Sequence, residues 1–175
     1  MDIMEIVAGL MELSARTAPK ASGQDYVESK ILTGDILDQL ADEMAKFGQE
    51  VKKVNFDRDG NNVRNSDAVL LLSLKEPRDA GLNCGACGYE DCASYRSAGK
   101  KEGPEFKGPI CAWRLLDLGI ALGSAVKTAS ILNADNRIMY RVGVVARKMG
   151  LIEGDIVVGI PISATGKSIY FDRKN

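Results

Sequence analysis

All four cysteines of this 175-residue chain lie between positions 84 and 111, in the spacing C-x2-C-x4-C-x18-C, and the chain has no histidine. Three of them share one short loop, Asn83-Cys84-Gly85-Ala86-Cys87-Gly88-Tyr89-Glu90-Asp91-Cys92, and the fourth follows Gly108-Pro109-Ile110 as Cys111. The absence of histidine removes His-based triads, imidazole proton shuttles, His-ligated zinc, Rieske clusters and His-ligated haem. A cubane cluster needs one thiolate at each of its irons, arriving from different directions. A tight loop supplies three, and a distant point in the chain supplies the fourth. Gly85 and Gly88 let that loop turn sharply and aim backbone N–H groups at sulfur. The donor set predicts a 4Fe-4S cluster held by Cys84, Cys87, Cys92 and Cys111. A structural zinc site is the competing reading. Zinc ribbons tend to pair two C-x2-C knuckles, and this chain has one.

Composition sets the setting for that chemistry. Apolar residues make up 45% of the chain, so a core forms without disulfides. The formal net charge is −1, which predicts neither a nucleic-acid partner nor an anionic membrane surface. Asp2 and Glu5 stand where a signal peptide carries positive charge, and Asp117 and Lys127 interrupt the most apolar stretch. A cytoplasmic location is expected, where thiols stay reduced.

Helical spacing of Ile3, Ile6, Val7, Leu10 and Leu13 predicts an amphipathic helix over 3–14. A loop at 19–25 and a strand at 27–32 follow. Thr33 and Asp35 are placed to cap a second helix that buries Ile36, Leu40, Met44 and Phe47 and stops at Gly48. Residues 51–56 read as a strand, and Asp57–Ser66 as a polar connection turning at Asp59-Gly60. The apolar run Ala68–Leu72 predicts a strand buried on both faces. The Gly-rich, charged segment 77–111 reads as an insertion shaped by what it binds. A long helix rich in small residues starts near Cys111, another spans 136–149, and Ile156–Ile160 forms a second buried strand. The expectation is a single α+β domain over 1–175 containing the cluster-binding segment. Tyr89, Tyr95 and Trp113 neighbour the ligands and either shield the site or pack in the core. Arg96, Lys100 and Lys101 form either a dock for an acidic redox partner or a solvated helix face.

The stretch Asn83–Cys111 resembles the four-iron–four-sulfur domain of the corrinoid iron–sulfur protein of acetogens and methanogens. It is also similar to the domain of ion-translocating ferredoxin oxidoreductase complexes. All four cysteines match those domains by position. The last gap is slightly longer here, and Ala112 replaces the proline that commonly follows the last cysteine. Together with Trp113–Ala125, the loop resembles a prokaryotic ferredoxin-domain-containing family of about this length whose activity is not settled.

The remainder resembles the nitroreductase fold. Ala18-Pro19-Lys20-Ala21-Ser22-Gly23-Gln24 is similar to its Ala-Pro-Ser-x-x-Asn-x-Gln loop. Met149-Gly150-Leu151, Ile156–Ile160 and Gly159-Ile160-Pro161 follow the order of its closing elements. The resemblance implies an α/β sandwich with a Cys-rich insertion, a homodimer paired through apolar helices, and FMN as a second cofactor. The Arg-rich start that grips the FMN phosphate is absent, so either Arg16 and Lys20 replace it or the flavin site is lost. The leading expectation is a redox protein passing electrons to a partner protein or a bound flavin. An iron–sulfur flavoenzyme and a zinc-stabilised module are the alternatives.

Overall fold

The structure, a computed structural model, describes residues 2–171. Its centre is an antiparallel sheet in the order β1–β2–β6–β5, comprising Val27–Leu32, Ala68–Leu74, Ile156–Ser163 and Asp135–Asn136. Val27 stands opposite Leu74 across β1 and β2, and Ala68 opposite Ile162 across β2 and β6. Every residue of β2 is buried. Its side chains alternate between two cores, which is why the sequence there is continuously apolar. Leu70, Leu72 and Leu74 face helices α1 (Ile3–Thr17) and α5 (Ala112–Ile131). Val69 and Leu71 face α2 (Ile36–Glu50), α3 (Phe56–Arg64) and α6 (Tyr140–Lys148). The result is a sheet between two helical layers.

Helix α6 lies directly against β6. A Cβ on Gly143 would stand 1.9 Å from the Val157 carbonyl oxygen, so only glycine permits that approach.

Several local expectations are corrected. Residues 51–56 are not a strand, and 57–66 is not a plain connection, because α3 begins at Phe56. Phe56, Asp59, Gly60 and Val63 make its buried face. Asp59 is 2% exposed and is held by Arg58 at 2.7 Å and Arg141 at 2.9 Å. Helix α2 does not stop at Gly48. A Cβ there would stand 2.7 Å from the Phe56 Cβ, so the glycine is a helix contact rather than a terminus. Thr33 and Asp35 make no side-chain cap; Asp35 is the N-cap residue with its side chain unengaged there. In α1 the core face is Met4, Val7, Ala8, Met11 and Ala15, while Ile3, Ile6, Leu10 and Leu13 lie on the surface. In α5 the small residues Ala121, Ala125 and Ala129 are buried in the core cluster that includes α1, and Gly119 and Gly123 face outward.

Between β2 and α5, residues 77–111 carry a short helix α4 (Cys92–Ala98) and a two-residue-per-strand hairpin of β3 (Lys101–Glu102) and β4 (Lys107–Gly108). The hairpin docks on the α6–β6 connection. Lys107 N–H donates to Asp155 O at 2.9 Å, Lys100 Nζ meets Asp155 Oδ2 at 2.5 Å, and Arg147 pairs with Glu102. The Gly108–Pro109 peptide is cis.

Candidate metal centre

All four cysteines line one narrow cavity, together with Asp79, Tyr89, Tyr95 and Trp113. Cys84 is exposed, Cys87 and Cys92 are half-buried, and Cys111 is buried. The sequence brings them together through two fixed points. The 83–92 loop turns at Gly85 and Gly88, both at positive φ, with the Gly88 N–H donating to Gly85 O at 2.9 Å. Cys92 opens α4, whose N-cap Asp91 accepts from the Ser94 N–H at 2.7 Å. Cys111 is the N-cap residue of α5 and so ties the far end of the segment to the main fold.

Donors already point at sulfur. The Trp113 indole Nε1–H donates to Cys84 Sγ at 3.3 Å, and the Asn83 N–H donates to Cys92 Sγ at 3.4 Å. Asn83 also accepts from the Cys92 N–H at 3.0 Å, so one side chain clasps the third cysteine in place. The Ala86 amide, and then the Trp113 indole, hold the Cys84 thiol below its ordinary pKa. Such donors favour the thiolate, which is the metal-binding form. Burial pushes the Asp79 carboxyl up. Hydrogen bonds from Arg96, Cys92 and the Gly81 amide outweigh it and leave Asp79 below its ordinary value.

Aromatic side chains wall the cavity. Tyr89 and Tyr95 meet edge to face at 5.7 Å, and the Tyr95 hydroxyl donates to Pro109 O at 3.1 Å. Burial raises the Tyr95 pKa, which keeps that donor protonated. Of the three cations singled out in the sequence, Arg96 pairs with Asp79 at 2.9 Å and Lys100 with Asp155, leaving Lys101 exposed. Among the described residues, no group of three or more His, Cys, Asp or Glu side chains is arranged to hold one metal ion.

Sequence reasoning missed Arg114. Fully buried, it donates to Arg78 O at 2.9 Å, to Ala21 O at 3.0 Å and to Gln24 Oε1 at 2.6 Å. Asp117 pairs with it at 3.1 Å and accepts from the Ala21 N–H at 2.7 Å. Arg114 follows Cys111 by one helical turn, so it locks the cysteine segment to the 19–24 loop. Its only sequence signal is a charge in an otherwise apolar first turn.

The two cations weighed for an FMN phosphate, Arg16 and Lys20, already have protein partners. Lys20 Nζ, largely buried, donates to Ala15 O at 2.9 Å and Arg16 O at 2.8 Å. Arg16 donates to Val27 O at 2.8 Å, and both cations flank Asp25. They tie the end of α1 to the start of β1 and to Asp25.

With this geometry in view, comparison with known proteins places the chain. It is 48% identical over 170 residues to an "Uncharacterized protein" of Archaeoglobus fulgidus, covering 97% of this chain and 91% of that one. Residues 107–173 match the family described as "Uncharacterized protein containing a ferredoxin domain (DUF2148)". The chain belongs to this ferredoxin-domain family. The matched part includes Cys111 and leaves the 83–92 loop outside. Among solved structures, nitroreductase CinD from Lactococcus lactis in complex with nicotinic acid superposes with a TM-score of 0.62 at 16% identity, covering 95% of this chain and 81% of that one. A BluB-like flavoprotein from Clostridium difficile 630 gives 0.61 at 14%, covering 100% and 87%. A putative nitroreductase in complex with FMN from Desulfovibrio desulfuricans gives 0.59 at 11%, covering 100% and 82%. The fold of this family member is therefore that of the nitroreductases. No helix among its described residues is long and apolar enough to cross a membrane.

Proposed function

We propose that Cys84, Cys87, Cys92 and Cys111 hold one 4Fe-4S cluster and that the protein is an electron carrier serving a partner protein in the cytoplasm. The observation that carries this reading is the single cavity lined by all four thiols, with N–H donors already directed at two of them. The ferredoxin domain in the family's description agrees with it. A cluster held there supplies single-electron transfer. The chain's own residues set its surroundings: Trp113 and Asn83 donate to sulfur, Tyr89 and Tyr95 exclude water, and Arg114 fixes the segment to the fold. These are the levers that tune a cluster's potential. A single zinc would draw four sulfurs to about 2.3 Å from one point. One C-x2-C knuckle with two single cysteines, in place of two matched knuckles, favours a cluster over that zinc site.

Residues 77–111 act in this reading as the cluster-binding segment of one domain over 1–175. The domain pairs as a homodimer. Ile3, Ile6, Leu10 and Leu13 on α1 and Leu116, Ile120 and Ile131 on α5 leave a broad apolar face exposed on two helices that pack side by side. Apolar side chains exposed on two neighbouring helices support burial against a second copy.

The deciding experiment is iron and acid-labile sulfide analysis of anaerobically purified protein, with an electron paramagnetic resonance spectrum after reduction. About four irons and four sulfides per chain are expected. One zinc per chain and no sulfide, persisting after anaerobic reconstitution, overturns the reading.

A further inference from the structure

A second cavity, of about 700 Å³, adjoins the cysteine-lined one. It lies between the loop entering β1, the start of the cysteine segment and helix α4. Asp79, Ala80 and Tyr95 line both cavities and so form the wall between them. The volume falls in the range of small-molecule sites.

Its charges are unevenly satisfied. Arg78, Arg96, Lys100 and Asp79 all line it. Asp79 is neutralised by Arg96, through contacts at 2.9 and 3.0 Å. Lys100 is taken by Asp155 and Pro77 O. Arg78 is left: only its backbone carbonyl is used, by Arg114, and its guanidinium has no partner among the described residues. An exposed arginine on a convex surface would call for no account. This one stands over a concave site whose other charges are already paired, so the net unanswered charge is positive. A guanidinium offers a rigid fork that matches a carboxylate or phosphate.

The rest of the cavity is prebuilt. The Tyr26 ring is backed by the Arg114 guanidinium at 4.9 Å. Gln24 is tethered to Arg114 at 2.6 Å, and Tyr95 to Pro109 O at 3.1 Å. Two aromatic rings in fixed positions suit a flat apolar body, and little order must be lost on binding.

We propose that this cavity is a binding site for a small organic anion with a planar body, anchored by Arg78 and seated against the wall of the cluster cavity. Binding itself does not need the cluster; the placement beside a redox centre rests on the reading above.

The test is calorimetric titration of the full-length, anaerobically purified protein with benzoate and, separately, with phenyl phosphate. Saturable binding of at least one probe, one per chain, is expected, and the tighter of the two identifies the anionic head. Arg78→Gln should weaken it by about tenfold or more, the loss expected for a charge-assisted pair of hydrogen bonds. Arg78→Lys, which keeps the charge without the fork, should fall between. The substituted side chain is exposed and the carbonyl used by Arg114 remains, so the melting temperature should not move. No saturation with either probe, or binding unchanged in Arg78→Gln, overturns the proposal. Iron and sulfide are measured on the same samples. Arg78-dependent binding without a cluster leaves the cavity standing and sinks the cluster reading; a full cluster with no binding does the reverse.

Discussion

The indole N–H of Trp113 donates to the sulfur of Cys84 at 3.3 Å, across a sequence separation of 29 residues. The bond joins the first turn of α5 to the first cysteine of the loop. It therefore carries both position and electrostatics. N–H donors to ligand sulfur favour the more negative, reduced state of a cluster. Trp113→Phe keeps an aromatic wall and removes one donor worth about 1 kcal/mol. In the cluster-loaded protein it should lower the reduction potential by roughly 10–40 mV, since about 59 mV is a tenfold change for one electron. A redox titration followed by electron paramagnetic resonance measures it, and an unchanged or higher potential contradicts this role.

The four cysteines should not respond alike to substitution. Cys84, Cys87 and Cys92 share one loop, while Cys111 is buried at the start of α5. Cys111→Ser is expected to leave a labile, partly assembled cluster and to loosen residues 93–110. Cys87→Ser removes the centre of the loop and should abolish stable assembly, because such segments fold with their metal. Iron content and limited proteolysis read both effects. A full, oxygen-stable cluster with an unchanged digestion pattern in Cys111→Ser removes Cys111 from the ligand set.

Elements whose burial follows local apolar pattern were legible in the sequence, and elements whose burial depends on distant partners were not. Strand β2 is apolar at nearly every position and was read correctly. Helix α3 was missed because two of its four buried positions are Asp59 and Gly60. Asp59 is tolerated inside because Arg58 and, from α6, Arg141 pair with it, and Gly60 because Ala41 O would lie 2.9 Å from a Cβ there. Helix α1 follows from its apolar spacing, but spacing alone does not tell that Ile3, Ile6, Leu10 and Leu13 stay on the surface. The core instead takes Ala8 and Ala15, small enough for close packing. The four cysteines were readable as a set from spacing. Asp79 and Arg114 were not, since their parts come from contacts 17 and 93 residues away.

The exposed stripe on α1 and α5 predicts self-association. Ile6→Glu and Leu116→Glu alter side chains that are 41% and 53% exposed, so the fold should tolerate them. Sedimentation velocity at micromolar concentration should show a dimer for the unmodified chain and a monomer for the double variant. A monomeric unmodified chain rules the pairing out.

Gly143 sets the contact of α6 with the sheet. A Cβ there would stand 1.9 Å from Val157 O and 2.6 Å from Val158 N, both backbone atoms that cannot swing aside. Gly143→Ala should destabilise the protein by about 2–3 kcal/mol or more, the range of severe overpacking, despite the better helix propensity of alanine. Urea unfolding measures the loss, and a variant as stable as the parent would mean α6 stands further from β6.

Tyr170 gives the fold a dependence on alkaline pH. Its ring is buried, and its hydroxyl meets Ser66 Oγ at 2.9 Å. Burial is the main cause that pushes its pKa up from 10.0 to about 12, against the lowering effect of the hydrogen bond with Ser66. A phenol with a raised folded pKa holds its proton more tightly in the native state. Its contribution is therefore complete below pH 10, where both states are protonated. Above that the unfolded chain releases the proton first, and stability falls until pH passes about 12. Linkage puts the full loss at roughly 2–3 kcal/mol for a shift of this size. Tyr170→Phe removes the titration and one hydrogen bond. It should be less stable than the parent by about 1 kcal/mol at neutral pH. Between pH 10 and 12 the parent's stability should fall more steeply than the variant's, so the two curves converge and then cross. Urea unfolding of both proteins across that range measures the difference, and parallel curves would show that Tyr170 titrates alike in the folded and unfolded chain.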